Sequence, residues 1–191
     1  MAKGEFLSFS TLLGLATSPS GLYLIGYAWL FGMSLWVTFF GGVIAFKALP
    51  RQQFGALQHK TFPVYFVLSM ALSGGLITLW TREHPHVTSQ LHQPLLADVF
   101  QIYALGTTLI GQGVNYLIIG PMTSKTMFQR HRLERDEGKA YNEPGARLHQ
   151  MKALNRRFGM LHGISSLFNL GSVIALGLHG LWIGNAGVKG Q

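Results

Sequence analysis

Apolar positions along this chain fall into long unbroken blocks rather than into alternating or one-faced stripes. Residues 22–46 contain no charged side chain, and at about 1.5 Å of rise per residue that block exceeds the ~20 residues needed to cross a bilayer core. Charge-free blocks recur at 61–81, 99–119 and 158–183. The pattern predicts an all-α integral membrane protein: a four-helix transmembrane domain over 21–184, with spans at 22–49, 62–80, 96–120 and 158–183. None of the four carries the charged face that a buried helix of a soluble bundle shows at helical period. Pro63 is expected in the first turn of the second span, where its missing N–H costs nothing, and Gly120-Pro121 is expected to break or kink the third. Trp29, Trp36, Trp80, Trp182, Tyr23 and Tyr103 are candidates for the headgroup-level aromatic belt.

Two pieces lie outside this frame. The segment 1–20 holds a short apolar run closed by Ser18-Pro19-Ser20, which predicts an interfacial helix on the non-cytoplasmic face; 185–191 is a tail. Between the third and fourth spans, 122–157 reads as two helical stretches that carry those spans beyond the bilayer. Met127, Phe128 and Leu133 mark the first stretch, Gly138 its stop, and Leu148, Met151 and Leu154 the second.

Charge now becomes informative. The chain has 191 residues, 48% hydrophobic and only 12% charged, about half the charge of a soluble domain. Fifteen Lys and Arg against seven Asp and Glu give +8, a balance that on a globular face would suit nucleic acid. Twelve of the fifteen basic residues, however, sit in the two loops that one side of the membrane would share: Lys47, Arg51 and Lys60, then nine between Lys125 and Arg157. The other side has Lys3, Arg82 and Lys189. By the positive-inside rule the basic loops are cytoplasmic and both termini lie on the non-cytoplasmic side. The expected partners are therefore the lipid bilayer and, at the basic face, anionic lipid headgroups, with no nucleic acid.

Chemistry is sparse. The absence of cysteine excludes disulfides, thiolate metal sites and cysteine nucleophiles. There is no Walker loop, HExxH, GxSxG or pair of carboxylates suited to hydrolysis, so no enzyme, catalytic residue, metal or cofactor is expected. Haem held by His59 with His162 or by His92 with His179 is disfavoured, because 17 residues separate the two span-four histidines and the other two lie in loops. His84, His86 and His92 make at most a weak metal pattern in a loop.

What remains is uncharged polarity inside the spans. Small residues, Ser34, Thr38 and Gly42 in the first span and Ser69 and Ser73 in the second, form helix-packing stripes. In the third span Gln101, Thr108, Gln112 and Asn115 share a face; in the fourth, His162, Ser165, Ser166, Asn169 and Ser172 do. Amides and imidazoles are costly in hydrocarbon unless partnered, so the two faces should meet as a polar seam of Gln112, Asn115, His162, Ser165, Ser166 and Asn169. The seam is either interhelical glue or the lining of a polar pocket.

Trp36, Pro50-Arg51, Gly55, Lys60, Pro63 and Tyr65, then Asn115 and Pro121, then His162-Gly163, Ser165-Ser166, Asn169 and Gly171 together resemble the transmembrane protein 205-like family. The resemblance runs over about 21–183 and rests on the strings LPRxxFGxxQxKxFPxYF and HGxSSLxNLG. It implies a non-enzymatic multi-pass protein of endomembranes or the plasma membrane, with the mitochondrial inner membrane as a further option. The family is linked to secretory-membrane traffic and to drug or metal tolerance, with no established transport substrate. Relatives carry cysteines near HGxSSLxNLG where this chain has Phe168 and Ser172, so thiolate capture of a soft metal has no support here. The alternative is an accessory subunit or scaffold of a larger complex, or a homo-oligomer, with Gly180 to Gly184 as the lipid-facing contact.

Overall fold

The computed structural model describes residues 7–139, 142–143 and 148–188. Lys3, Glu5, Pro144, Gly145, Arg147 and Lys189 lie outside the described residues. Four helices are long and apolar enough to cross a membrane: Pro19–Ala48, Arg51–Glu83, Ala97–Glu137 and Leu148–Ala186. They run up and down in sequence, the third packing on both the second and the fourth. Among the described residues there is no strand.

A short helix, Phe9–Thr17, precedes them with no buried residue. Ser8 caps its start by accepting from the Thr11 N–H, and Ser18 both ends it and caps the first long helix, accepting from the Gly21 N–H at 3.0 Å. Pro19 follows in the first turn, where its ring is pre-set for helix. The chain reverses so tightly at this point that a Cβ on Gly21 would collide with the Leu15 carbonyl oxygen.

The basic-side ends differ from the sequence expectation. The turn after the first long helix is only Leu49-Pro50, and the second helix starts at Arg51 rather than near 62, so Arg51 and Lys60 lie on a helix and not in a loop. Pro63 is therefore interior, not first-turn. It is tolerated because it sits on the exposed face, so the His59 carbonyl it cannot bond is left outside the core.

Gly120-Pro121 does not break the third helix, which runs on to Glu137 and stops at Gly138, whose φ of 63° needs glycine. Residues Asn115–Ile119 form a π-helical turn just before the proline, with the Gly120 N–H bonded back to the Asn115 carbonyl. The widened turn moves backbone away from the proline ring, which would clash with the carbonyl four residues earlier in a regular α-helix. A Cβ on Gly120 would stand 2.7 Å from the Asn115 oxygen, so the turn closes only on glycine. The first long helix repeats the device: Trp36–Gly41 is π-helical, and a Cβ on Gly41 would meet the Trp36 indole nitrogen at 2.9 Å.

At about 1.5 Å per residue the third and fourth helices are near 60 Å long, and their basic ends pack together as a helical pair. One face of that end is buried, through Thr126, Met127, Arg130, His131, Leu133 and Glu134. Glu134 is ion-paired with Arg51, the Arg130 guanidinium lies 4.5 Å over the Phe158 ring, and the His59 imidazole bonds the Ser124 hydroxyl at 3.0 Å. Gly55 lets the second helix approach closely, because a Cβ there would stand 2.8 Å from Met127 Sδ. The core proper sits in the opposite half: Tyr23, Leu30, Leu76, Trp80, Leu105, Leu176 and Ile183, drawn from all four long helices. Tyr23 and Trp80 are therefore interior rather than members of an aromatic belt. Trp29, Trp36 and Tyr103 are exposed.

Candidate functional site

The polar faces of the third and fourth helices meet, with a changed membership. Gln112, Asn115 and Asn169 are buried, and Ser165 is partly so. The Asn115 amide donates to the Ser165 carbonyl at 3.3 Å and to Asn169 Oδ1 at 3.4 Å. The Gln112 amide donates to the Ser172 hydroxyl at 3.1 Å and to the Tyr65 hydroxyl at 3.4 Å, and Tyr65 in turn donates to the fully buried Ser34. The seam is thus fed by all four long helices.

His162 and Ser166 are not in it. Both are exposed, His162 lying parallel to Phe158 with centroids 5.9 Å apart. Ser166 directly follows Ser165 and turns off the buried line of Ser165, Asn169 and Ser172, whereas His162 keeps that line's spacing, seven residues before Asn169, and is nonetheless exposed beside Phe158. Ser69 and Ser73 are fully buried as packing residues, Ser73 bonding back to the Ser69 carbonyl; Thr38 and Gly42 are half-buried. Among the other motif residues, Pro50, Lys60, Pro121 and Gly163 are exposed, and Gly171 is half-buried.

The seam is incompletely satisfied. Gln112 Oε1, Asn115 Oδ1 and the Thr108 hydroxyl are buried without a hydrogen-bond partner among the described residues. Each residue has no solvent exposure. A buried polar atom without a partner costs about 1–3 kcal/mol, and these three share one face of the third helix. Asn115 also opens the π-helical turn, a distortion that recurs at functional sites.

Toward the other end the stripe continues into a second network. His179 has no solvent exposure and uses both ring nitrogens: the Tyr23 hydroxyl lies 2.7 Å from Nε2 and Gln101 Oε1 2.8 Å from Nδ1. Because the Gln101 amide nitrogen donates to the Ala97 carbonyl at 2.9 Å, its oxygen accepts. His179 therefore donates from Nδ1 and accepts the Tyr23 proton at Nε2, a neutral tautomer fixed by its neighbours. Tyr27 donates to the Leu176 carbonyl at 3.0 Å, and a Cβ on Gly180 would collide with that hydroxyl. Gly180 is consequently used inside the bundle, which removes it from the proposed lipid-facing contact; Gly184 has nothing near it. The signal for His179 was available in the sequence, because it lies seven residues, two helical turns, beyond Ser172 on the same stripe.

The candidate haem histidines have other partners. His59 is engaged with Ser124 and Phe128, His92 with Gln93, and His179 with Tyr23 and Gln101. No group of three or more His, Asp or Glu side chains among the described residues is gathered so as to hold a metal ion.

A family model described as a domain of unknown function, DUF4149, matches residues 25–132. Transmembrane protein 205 of Danio rerio is 24% identical over 160 residues, covering 78% of this chain and 81% of that protein. Xanthocillin biosynthesis cluster protein D of Aspergillus fumigatus is 30% identical over 86 residues, covering 45% of this chain and 53% of that protein. No solved structure matches. The family model covers more than half of the chain and the transmembrane relative most of it; the chain is a membrane protein that belongs to the DUF4149 family, of transmembrane protein 205-like type.

Proposed function

We propose that this protein is a non-enzymatic membrane protein that admits a small, uncharged or cationic hydrogen-bond donor to the seam between its third and fourth helices. The observation that carries this reading is the set of buried polar atoms left without partners: the acceptors Gln112 Oε1 and Asn115 Oδ1, and the Thr108 hydroxyl. A seam serving only as glue between helices would pair them, since hydrocarbon offers no water to do so. In this reading the basic loops face the cytoplasm, both termini face the opposite side, and the extended pair of helices meets anionic headgroups, as the charge bias supports.

Proteoliposomes loaded in parallel with radiolabelled urea or methylammonium test the reading. Wild type should accelerate equilibration of at least one, and Gln112→Leu with Asn115→Leu, which removes the acceptors while keeping apolar bulk, should abolish the acceleration. Flux equal to empty liposomes for both solutes in wild type would remove this reading. A scaffold role is the second reading, and one observation favours it: the apolar stretch of the first long helix is only 11% buried against 39% in the fourth. That outer face, with Trp29, Trp36, Phe39 and Phe40 exposed, is free to pack on another helix.

A further inference from the structure

The 84–96 connection closes the end of the bundle opposite the basic loops, and its attachment has an unusual electrostatic detail. His84 is 4% exposed and stacks on the Trp80 indole, with centroids 4.1 Å apart and planes 18° off parallel. Its Nδ1 lies 3.1 Å from the Trp80 carbonyl oxygen, and a carbonyl can only accept, so Nδ1 carries the proton. A neutral ring then presents a bare lone pair at Nε2. That nitrogen is buried without a hydrogen-bond partner and faces Asp98 Oδ1 at 3.9 Å. Lone pair faces lone pair across a gap that a proton would turn into a charge-assisted contact.

Asp98 is otherwise well held. His86, half exposed, reaches its other oxygen at 3.0 Å, and the Trp80 indole N–H donates to the Asp98 backbone carbonyl at 2.9 Å. His86 can bond the carboxylate in either charge state, because its exposed ring is free to place a proton on Nε2. His84 cannot, because its single neutral proton is committed to Trp80. Further along the connection, Tyr103 of the third helix donates to the Leu91 carbonyl at 2.9 Å.

We propose that His84 and Asp98 form a proton-operated clasp that draws the 84–96 connection onto the third helix when His84 is protonated and relaxes it when His84 is neutral. The other titratable groups around it are accounted for. His86 is on Asp98, and His92 is turned to Gln93. His179 and Tyr23, beyond the Trp80 ring, bond each other. Arg82 and Glu83 precede His84 on its own helix. The direction follows: protonation adds a bond to the closed form alone, so closure strengthens as pH falls.

The chain's lack of cysteine allows a single reporter thiol. Leu95→Cys, at a position 92% exposed within the connection, carries a nitroxide label in lipid nanodiscs. The ratio of immobile to mobile label should rise about tenfold from pH 8 to pH 5.5, the range a charge-assisted hydrogen bond supports. His84→Gln and Asp98→Asn should each flatten the profile, while His86→Gln should keep it. A pH-independent wild type, or a response that survives His84→Gln, overturns the proposal. So does immobilisation by added zinc at pH 8 to the level seen at pH 5.5, since the clasp would then belong to a metal ion. Should His84→Gln fail to fold, Asp98→Asn alone decides, because it leaves the stacked ring in place.

Discussion

The interior of this bundle is built in two ways. Toward the end remote from the basic loops, Tyr23, Gln101 and His179 complete one another's hydrogen bonds inside a shell of Trp80, Leu105 and Leu176. Toward the basic end, Gln112 and Asn115 satisfy their amide nitrogens but not their oxygens, beside a π-helical turn. Both are polar residues buried on the same two helix faces. The difference shows that burial of an amide does not by itself indicate a site. A network that closes on itself is complete within the chain, and one that leaves acceptors over is not.

Substitutions should separate the two halves, and the largest effect is expected where closure is complete. Trp80→Ala removes a fully buried ring in contact with Tyr23, His84 and His179 and should destabilise the protein by about 4 kcal/mol, read as the midpoint of denaturation in detergent micelles. His179→Leu should cost about 2 kcal/mol by stranding the Tyr23 and Gln101 side chains, and should do so with no effect on solute flux per folded molecule. Asn115→Leu should reverse that profile: stability within about 1 kcal/mol of wild type, because an unpaired acceptor is removed along with two long bonds, but flux lost. The smallest effect is expected at His162→Ala, whose outward ring joins neither network; both readouts should match wild type. A flux loss there equal to that of Asn115→Leu would break the comparison.

How much of this was legible in the chain depends on the kind of information each feature needs. The four long helices follow from charge-free blocks, because hydrocarbon admits few alternatives. Their ends do not. Pro63 and Pro121 read as boundaries under rules for regular helices, and the structure carries helix past both, one on an exposed face and one behind a widened turn whose register no pattern of side chains announces. The seam was legible through Gln112, Asn115 and Asn169, since spacing fixes helical phase. His162 has the spacing of the inward face, seven residues before Asn169, yet its ring is exposed, so spacing alone does not exclude it; Ser166 lies one position past Ser165, off that face. His179 keeps the phase of Ser172, and only its nearness to the helix end sets it apart from the rest of the stripe. Tyr65 was visible only as a motif residue, and nothing in the sequence of the second helix shows that its hydroxyl reaches Gln112.

The second and third helices are tied to each other at both tips. Arg51, the first residue of one, holds Glu134 near the end of the other, while His86, just beyond the last turn of the second, holds Asp98 in the first turn of the third. Two rods pinned at both ends cannot swing apart like a hinge or slide past each other like a piston; they can only bow. Bowing is easiest where a rod is already softened, and the softened places are Pro63 on one and the widened turn at 115–119 on the other, bracketing Tyr65, Gln112 and Asn115. Any parting of the second helix from the third is thereby confined to the middle of the pair, beside Tyr65, Gln112 and Asn115, while its two ends stay held.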